Sequence, residues 1–264
     1  MSDQTGTDDS KLTRTKIGFA EQGRFLTGTT SSPEEDRLPP GQSWVKGFPT
    51  LDLGIKPEIS TREWTLQIFG AVDAPAIITW DNLVGNLPQV ETVVDIHCVT
   101  AWSHQDCVWQ GVRTADVLTL AKPDPKAKFV LVHCADGYST NLSLEDFLAD
   151  DCLIAHTMRG ERLELDHGAP ARLVIPHLYF WKSAKWVTKI EVLLEDEPGY
   201  WELRNYHNRG NPWEEERYGK PIKEPRKTAS AATATEQELA PELPEVVAPD
   251  NWLLRLLKGL CIVR

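Results

Sequence analysis

From Trp64 onward the chain alternates short apolar or period-two runs with clusters of turn formers. Residues 65–69, 92–98, 129–134, 172–176 and 186–194 carry the β-branched and aromatic content of strands. Residues 80–87 following Thr79, residues 114–121, and a segment from Leu144 read as short helices. In the last, Ser143 is placed as the cap and Asp146 stands three residues on. Pro123, Pro125, Pro170, Pro176 and Pro198 punctuate these elements, and the helices are too few and too short to alternate with the strands. The predicted class is α+β, with mixed, mostly antiparallel sheets and short helices.

The flanks are different. Residues 1–40 are rich in Ser, Thr, Asp and Glu and end in Leu38-Pro39-Pro40, which predicts a flexible N-terminal arm. Residues 41–220 form the expected globular domain. Residues 221–250, dominated by Ala, Thr, Glu and Pro, are too poor in apolar side chains to order themselves and read as a disordered linker. It leads to a short amphipathic segment, 251–264, in which Arg255, Lys258 and Arg264 flank apolar residues.

Composition narrows the function. A chain of 264 residues with a formal net charge of -11 does not suit a nucleic-acid partner, because phosphate neutralisation needs clustered Lys and Arg. Five cysteines without framework spacing read as reduced thiols of an intracellular protein. Residues 1–20 lack an apolar signal core and a twin-arginine pair, so a cytoplasmic location is expected. No apolar run approaches the ~20 residues that span a bilayer.

The segment Asp95-Ile96-His97-Cys98-Val99-Thr100-Ala101-Trp102-Ser103 concentrates the candidate chemistry: an apolar strand delivers a cysteine into a polar and aromatic turn. Cys98, Cys107, Cys134 and Cys152 contain no C-x-x-C pair and match no common structural zinc spacing. From the residues alone, Cys98 is open to three readings: a small apolar filler, a thiol nucleophile assisted by His97, His104 or His133, or a metal ligand.

The run His97-Cys98-Val99-Thr100-Ala101-Trp102-Ser103 resembles the metal-cysteine segment of the sulfite-oxidase-type molybdoenzymes, a superfamily that includes the methionine-sulfoxide reductase catalytic subunits. His167-Gly168-Ala169-Pro170-Ala171-Arg172-Leu173-Val174-Ile175-Pro176 is similar to their Asn-Gly-Ala-Pro-x-Arg-Leu-x-x-Pro stretch, and Lys182-Ser183-Ala184-Lys185-Trp186 to their Lys-x-x-Lys turn. Residues 179–186 and 206–213 are similar to short bacterial sulfite oxidase-like oxidoreductases, and the likeness runs from about Gly47 to Gly219.

The resemblance implies the sulfite-oxidase-type fold, a molybdopterin-binding catalytic domain over 41–220, and molybdenum bound by the Cys98 thiolate beside a molybdopterin. A soft thiolate suits such a metal. It also implies cofactor contacts from His97, His133, His167, Arg172, Ser183, Ala184 and Lys185. His167 stands where the methionine-sulfoxide reductases carry Asn, and His133 where they use Thr. Their Asn-x-x-Tyr-Glu pterin contact is not reproduced; Phe48-Pro49-Thr50-Leu51-Asp52 is the nearest equivalent, which leaves Asp52 a minor candidate. An anionic substrate needs guanidinium groups near the metal, for which Arg113 and Arg209 are expected, with Arg204 also available. Tyr138 or Tyr179 is placed to supply a phenol beside the metal.

The implied reaction is two-electron oxygen-atom transfer to or from a small substrate such as sulfite or a sulfoxide. The sequence shows no C-x-x-C-H haem site, iron-sulfur cysteine run or Gly-rich dinucleotide loop, so a separate electron-transfer protein, linked to haem, flavin or quinone, is expected. Segment 251–264 either grips a partner or membrane surface, docks on its own domain or stays frayed. A metal-free cysteine enzyme and a non-catalytic binding module are the competing readings.

Overall fold

The computed structural model describes residues 37–219. The predicted arm up to residue 36, the linker and the amphipathic C-terminal segment lie outside the described residues.

Two sheets organise the body. One has five strands: β2 (Thr65–Gly70), β3 (Ala76–Thr79), β6 (Phe129–Cys134), β7 (Ser139–Ser143) and β11 (Val187–Leu193), in the order β3-β2-β11-β6-β7. The β2–β11 pair is parallel and the others antiparallel. Alternation dictates the buried face of β2, where Leu66 and Ile68 turn inward between more exposed neighbours.

The second sheet has six strands: β1 (Ser43–Trp44), β4 (Val90–His97), β5 (Trp102–Arg113), β8 (Leu153–Met158), β9 (Glu161–Arg162) and β10 (Arg172–Val174). The long β5 is its axis: β4 pairs along it, β1 runs parallel to its first two residues, and β8 pairs with its last five. Gly111 is needed there, because a Cβ at that position would lie 2.2 Å from the Ile154 carbonyl oxygen.

Three short helices connect these strands. They are α1 (Trp80–Gly85), capped by the Thr79 hydroxyl, α2 (Thr114–Thr119), and α3 (Leu144–Phe147), where Ser143 accepts from the Asp146 amide as expected. The α+β class, with mixed, largely antiparallel sheets, is borne out.

An apolar cluster built on the five-stranded sheet includes Trp64, Leu66, Ile68 and Ile190, and a second includes Ile96, Trp102, Trp109 and Tyr179. A fully buried ion pair lies beside them. Lys182 Nζ is 2.6 Å from Glu202 Oε1 and donates to the Asn141 carbonyl and Oδ1, both at 2.8 Å, while the Trp181 indole donates to the same Glu202 oxygen at 2.9 Å. Burial pulls the Lys182 ammonium down and Glu202 opposes it.

Removing one partner of a buried pair strands the other charge away from water. Lys182→Met is therefore expected to lower stability by about 3–5 kcal/mol in urea unfolding, and Lys182→Met with Glu202→Leu to recover a large part of the loss. A single mutant within 1 kcal/mol of wild type would contradict this account.

Candidate functional site

A cleft opens where the two apolar clusters meet, drawing Tyr138 and Ala184 from one and Cys98, Trp102 and Tyr206 from the other. Cys98 reaches it from a four-residue turn between β4 and β5. The Cys98 amide donates to the Trp102 carbonyl at 2.8 Å, and the Ala101 amide donates to the Cys98 carbonyl at 3.0 Å. Closing the turn puts Ala101 at φ 70°, a left-handed conformation that costs a non-glycine residue about 1–2 kcal/mol. Buried polar groups hold this strained turn from behind. Gln42 Nε2 donates to the Cys98 carbonyl at 3.1 Å, and Arg217 Nη1 donates to the Val99 carbonyl at 2.6 Å.

His97 belongs to that support and does not line the cleft. Ser103 Oγ donates to Gln42 Oε1 at 3.2 Å, so the 2.9 Å contact between His97 Nδ1 and Ser103 Oγ makes the imidazole the donor. Burial pulls His97 down to about 4, which leaves it neutral at ordinary pH. The Cys98 thiol contacts Thr100 Oγ1 at 3.1 Å rather than a histidine, and His104 is engaged by the Cys107 thiol at 3.3 Å.

Facing the same space are His167, Arg172, Ser183, Ala184 and Lys185. Arg172 is 2% exposed, and its guanidinium donates to the carbonyls of His167 at 2.9 Å, Ser183 at 2.7 Å and Leu173 at 3.4 Å. It also lies over the rings of Phe180 and Trp109, 4.5 and 5.3 Å from their centroids. Among the described residues no carboxylate pairs with it. Burial pulls it down to about 9, so it keeps its charge at neutral pH.

Lys185 donates to the Asp166 carbonyl at 3.0 Å, stands 3.7 Å from Asp52 and lies over the Trp186 ring at 4.3 Å. Burial and the neighbouring Arg172 charge pull it down to about 8. The Ser183 hydroxyl accepts from the Ile175 amide at 2.8 Å, and the Ala184 carbonyl accepts from the Leu173 amide at 2.8 Å, so Ser183 shapes the turn with its side chain and Ala184 with its backbone. Gly168, at φ 101°, lets the His167 segment close on it: a Cβ there would lie 2.9 Å from Lys185 Cβ and 3.2 Å from Arg172 Cβ. His167 Nδ1 is buried with no hydrogen-bond partner, and burial followed by Arg172 pulls its ring down.

Other expected residues fall elsewhere. His133 faces Glu191 at 2.9 Å and stacks on Phe69, outside the cleft lining. Arg113 sits exposed at the far end of β5, before α2. Arg209 is bound to Asp146 at 3.0 Å with half its side chain exposed. Neither arginine lines the cleft, because β5 carries Arg113 to the opposite end from Cys98 and a buried carboxylate holds Arg209. Of the two tyrosines, Tyr138 lines the cleft and donates to the Trp181 carbonyl at 2.6 Å, while Tyr179 stacks on Trp181 outside it. Asp52 lines it, as does Tyr206, the first residue of the 206–213 stretch.

Asp136 also lines the cleft. It lies in the β6–β7 turn, for which the Asp136-Gly137 pair between two apolar runs was the available signal. Phe48 and Trp102 add aromatic walls that no local pattern distinguishes from core.

A thiol, a buried guanidinium with no counterion and a ring nitrogen with no hydrogen-bond partner among the described residues, a second cation and aromatic walls fit an anionic heterocyclic ligand carrying a thiophilic metal.

Comparison with known proteins bears on this donor set. The family model described as the oxidoreductase molybdopterin binding domain matches residues 53–201. The chain is 44% identical over 195 residues to the uncharacterised oxidoreductase YuiH of Bacillus subtilis, covering 74% of this chain and 98% of that protein. It is 30% identical over 193 residues to the NADPH nitrate reductase of Leptosphaeria maculans, spanning 62% of this chain but 21% of that one. The corresponding enzyme of Aspergillus niger is 28% identical over 174 residues, and the match spans 20% of it. Among solved structures, the sulfane dehydrogenase SoxCD of Paracoccus pantotrophus superposes with a TM-score of 0.53 at 21% identity, over 62% of this chain and 48% of that one, a likeness of fold.

The depressed Lys185 sets a sign for stability against pH. Its ordinary value is 10.5, so between about pH 8 and 10.5 the folded chain binds fewer protons at this site than the unfolded chain, and the Lys185 contribution to stability rises with pH. Relative to Lys185→Met, wild type is expected to gain stability as pH rises from 7 to 10 in paired urea titrations. A difference that does not change with pH would refute the burial of a charged Lys185.

Proposed function

Because the chain belongs to the molybdopterin-binding oxidoreductase family, and so uses molybdenum held by molybdopterin, we propose that it transfers an oxygen atom to or from a small substrate such as sulfite or a sulfoxide. The two electrons pass to or from a separate carrier linked to haem, flavin or quinone. The observation that carries this reading is the meeting, in one cleft, of the Cys98 thiol with a buried Arg172 that no carboxylate among the described residues neutralises.

When bound, the cofactor supplies the two-electron redox change that accompanies gain or loss of the oxygen atom. The chain's own part is to bind and orient. Cys98 gives up its proton and offers a soft thiolate at a position fixed by the Ala101 turn, Gln42 and Arg217. Arg172 and Lys185 supply the positive field for the pterin phosphate, and Ser183 and Ala184 present the backbone turn that holds Arg172 in place. His167 offers its unpartnered Nδ1 to the pterin ring. Phe48, Trp102 and Tyr206 keep the reacting space poor in water, and burial pushes the Tyr206 phenol up so that it remains a neutral donor. His97 acts through the Cys98 turn, and His133, Arg113 and Arg209 are given no part in the cleft. No helix among the described residues is long and apolar enough to cross a membrane.

Protein produced in a host with a working molybdopterin pathway is expected to carry close to one molybdenum per chain. Cys98→Ser should lose oxygen-atom transfer and most of the metal. Arg172→Gln, which forfeits charged hydrogen bonds, should retain the cofactor about 10–100-fold more weakly. Elemental analysis with thermal unfolding as a fold control tests this. Molybdenum retained in full by Cys98→Ser, or absent from folded wild type, would overturn the assignment.

A further inference from the structure

Away from the cleft, the pairing of β10 with β8 sets Val174 opposite Leu153, which brings the residue before β8 beside the segment leaving β10. Asp151 and Cys152 lie on one side of this junction and His177 on the other. Cys152 Sγ is 3.8 Å from Asp151 Oδ1 and 4.0 Å from His177 Nδ1, and those two atoms are 4.0 Å apart. A point equidistant from the three lies about 2.3 Å from each, which is the Zn–S bond length and only a few tenths of an ångström longer than Zn–N and Zn–O bonds.

The histidine is presented as a metal-binding histidine needs to be. Its Nε2 donates to Asp146 Oδ1 at 3.2 Å, which leaves Nδ1 with a free lone pair directed toward the other two donors. Asp146 is itself fixed by Arg209 at 3.0 Å and Ser143 Oγ at 2.7 Å. A carboxylate behind a ligating histidine orients the ring and raises its basicity. Cys152 is fully buried, whereas the side chains of His177 and Asp151 are 31% and 44% exposed, so the group opens to solvent on one side.

We propose that Asp151, Cys152 and His177 form a second metal site, separate from the molybdenum centre, for a divalent cation of the zinc class with solvent in its fourth position. A thiolate ligand excludes magnesium and calcium, and the single imidazole with one carboxylate matches a borderline-soft ion. Binding breaks the Cys152 S–H bond, forms the metal–sulfur bond and releases the proton to solvent, with no change of oxidation state. As a thiol, Cys152 donates to the Asp146 carbonyl at 3.3 Å, and it exchanges that contact for the metal. The bound ion ties the start of β8 to the exit of β10. Through His177 and Asp146 it also reaches Arg209, three residues along the chain from Tyr206 in the cleft wall.

The test uses the full chain, loaded with its molybdenum cofactor so that Cys98 is occupied, and dialysed against buffered Zn²⁺. One zinc per chain beside the molybdenum is expected, lost in Cys152→Ser and in His177→Ala, with Asp146→Asn weakening retention about 10–100-fold. Co²⁺ in place of Zn²⁺ should give a thiolate-to-cobalt charge-transfer band in the wild-type-minus-variant difference spectrum. His177 is partly exposed, so its variant decides the matter if Cys152→Ser does not fold. Wild type that retains no zinc, or His177→Ala that retains it fully, overturns the proposal. Either result leaves the molybdenum assignment untouched.

Discussion

A guanidinium withdrawn from water with no carboxylate beside it among the described residues is the constraint around which this structure is arranged. Arg172 is met by three backbone carbonyls and two aromatic faces, each of which softens its desolvation without cancelling its charge. Those carbonyls come from the segments that shape the cleft, so satisfying the arginine also fixes the His167 and Ser183 turns. Lys185 is pressed against the same field and is depressed by it. The positive potential this leaves is costly to the fold, and on the proposed reading an anionic ligand would offset that cost and so link folding to binding.

The thiol side of the cleft follows a different logic. Arg172 is held by what lies around the cleft, whereas Cys98 is held from behind. Gln42 and Arg217 come from the two ends of the described chain to brace one four-residue turn. A left-handed alanine persists where its surroundings over-determine the backbone, and the bracing supplies that. On the proposed reading Cys98 binds metal, and such rigidity favours this, because each degree of freedom removed beforehand is one that binding need not freeze.

How much of this was legible in the sequence depends on whether a feature is local. The α+β class, the caps at Thr79 and Ser143 and strands such as β2 and β6 follow from patterns a few residues long, and they are present close to where the pattern puts them. The twelve-residue β5 was not legible, since its buried polar residues, Ser103 and His104, and the adjacent exposed pair Gln105 and Asp106 break the alternation. In the site, Cys98, His167, Arg172, Ser183, Ala184 and Lys185 do converge, because they lie on motifs whose spacing the backbone turns reproduce. Arg113, Arg209 and His133 do not, because nothing in a residue type reveals which partner takes it. Arg209 looked available for an anion until Asp146, 63 residues away, is seen to hold it.

That same pairing shows why Asp146 matters beyond its own neighbourhood. A buried carboxylate that accepts from Ser143, His177 and Arg209 at once leaves none of the three free to move alone. Strand β10 then carries Arg172 toward the cleft at one end and leads to His177 at the other, with two buried residues of the strand between Arg172 and its exit. A change in the order of the His177 corner has a short, rigid route to Arg172. Packed strands transmit displacement because their interiors have no slack to absorb it. The site is therefore held by two supports of opposite kind, a braced turn beneath the sulfur and a tethered strand beneath the guanidinium, and the cleft lies between them.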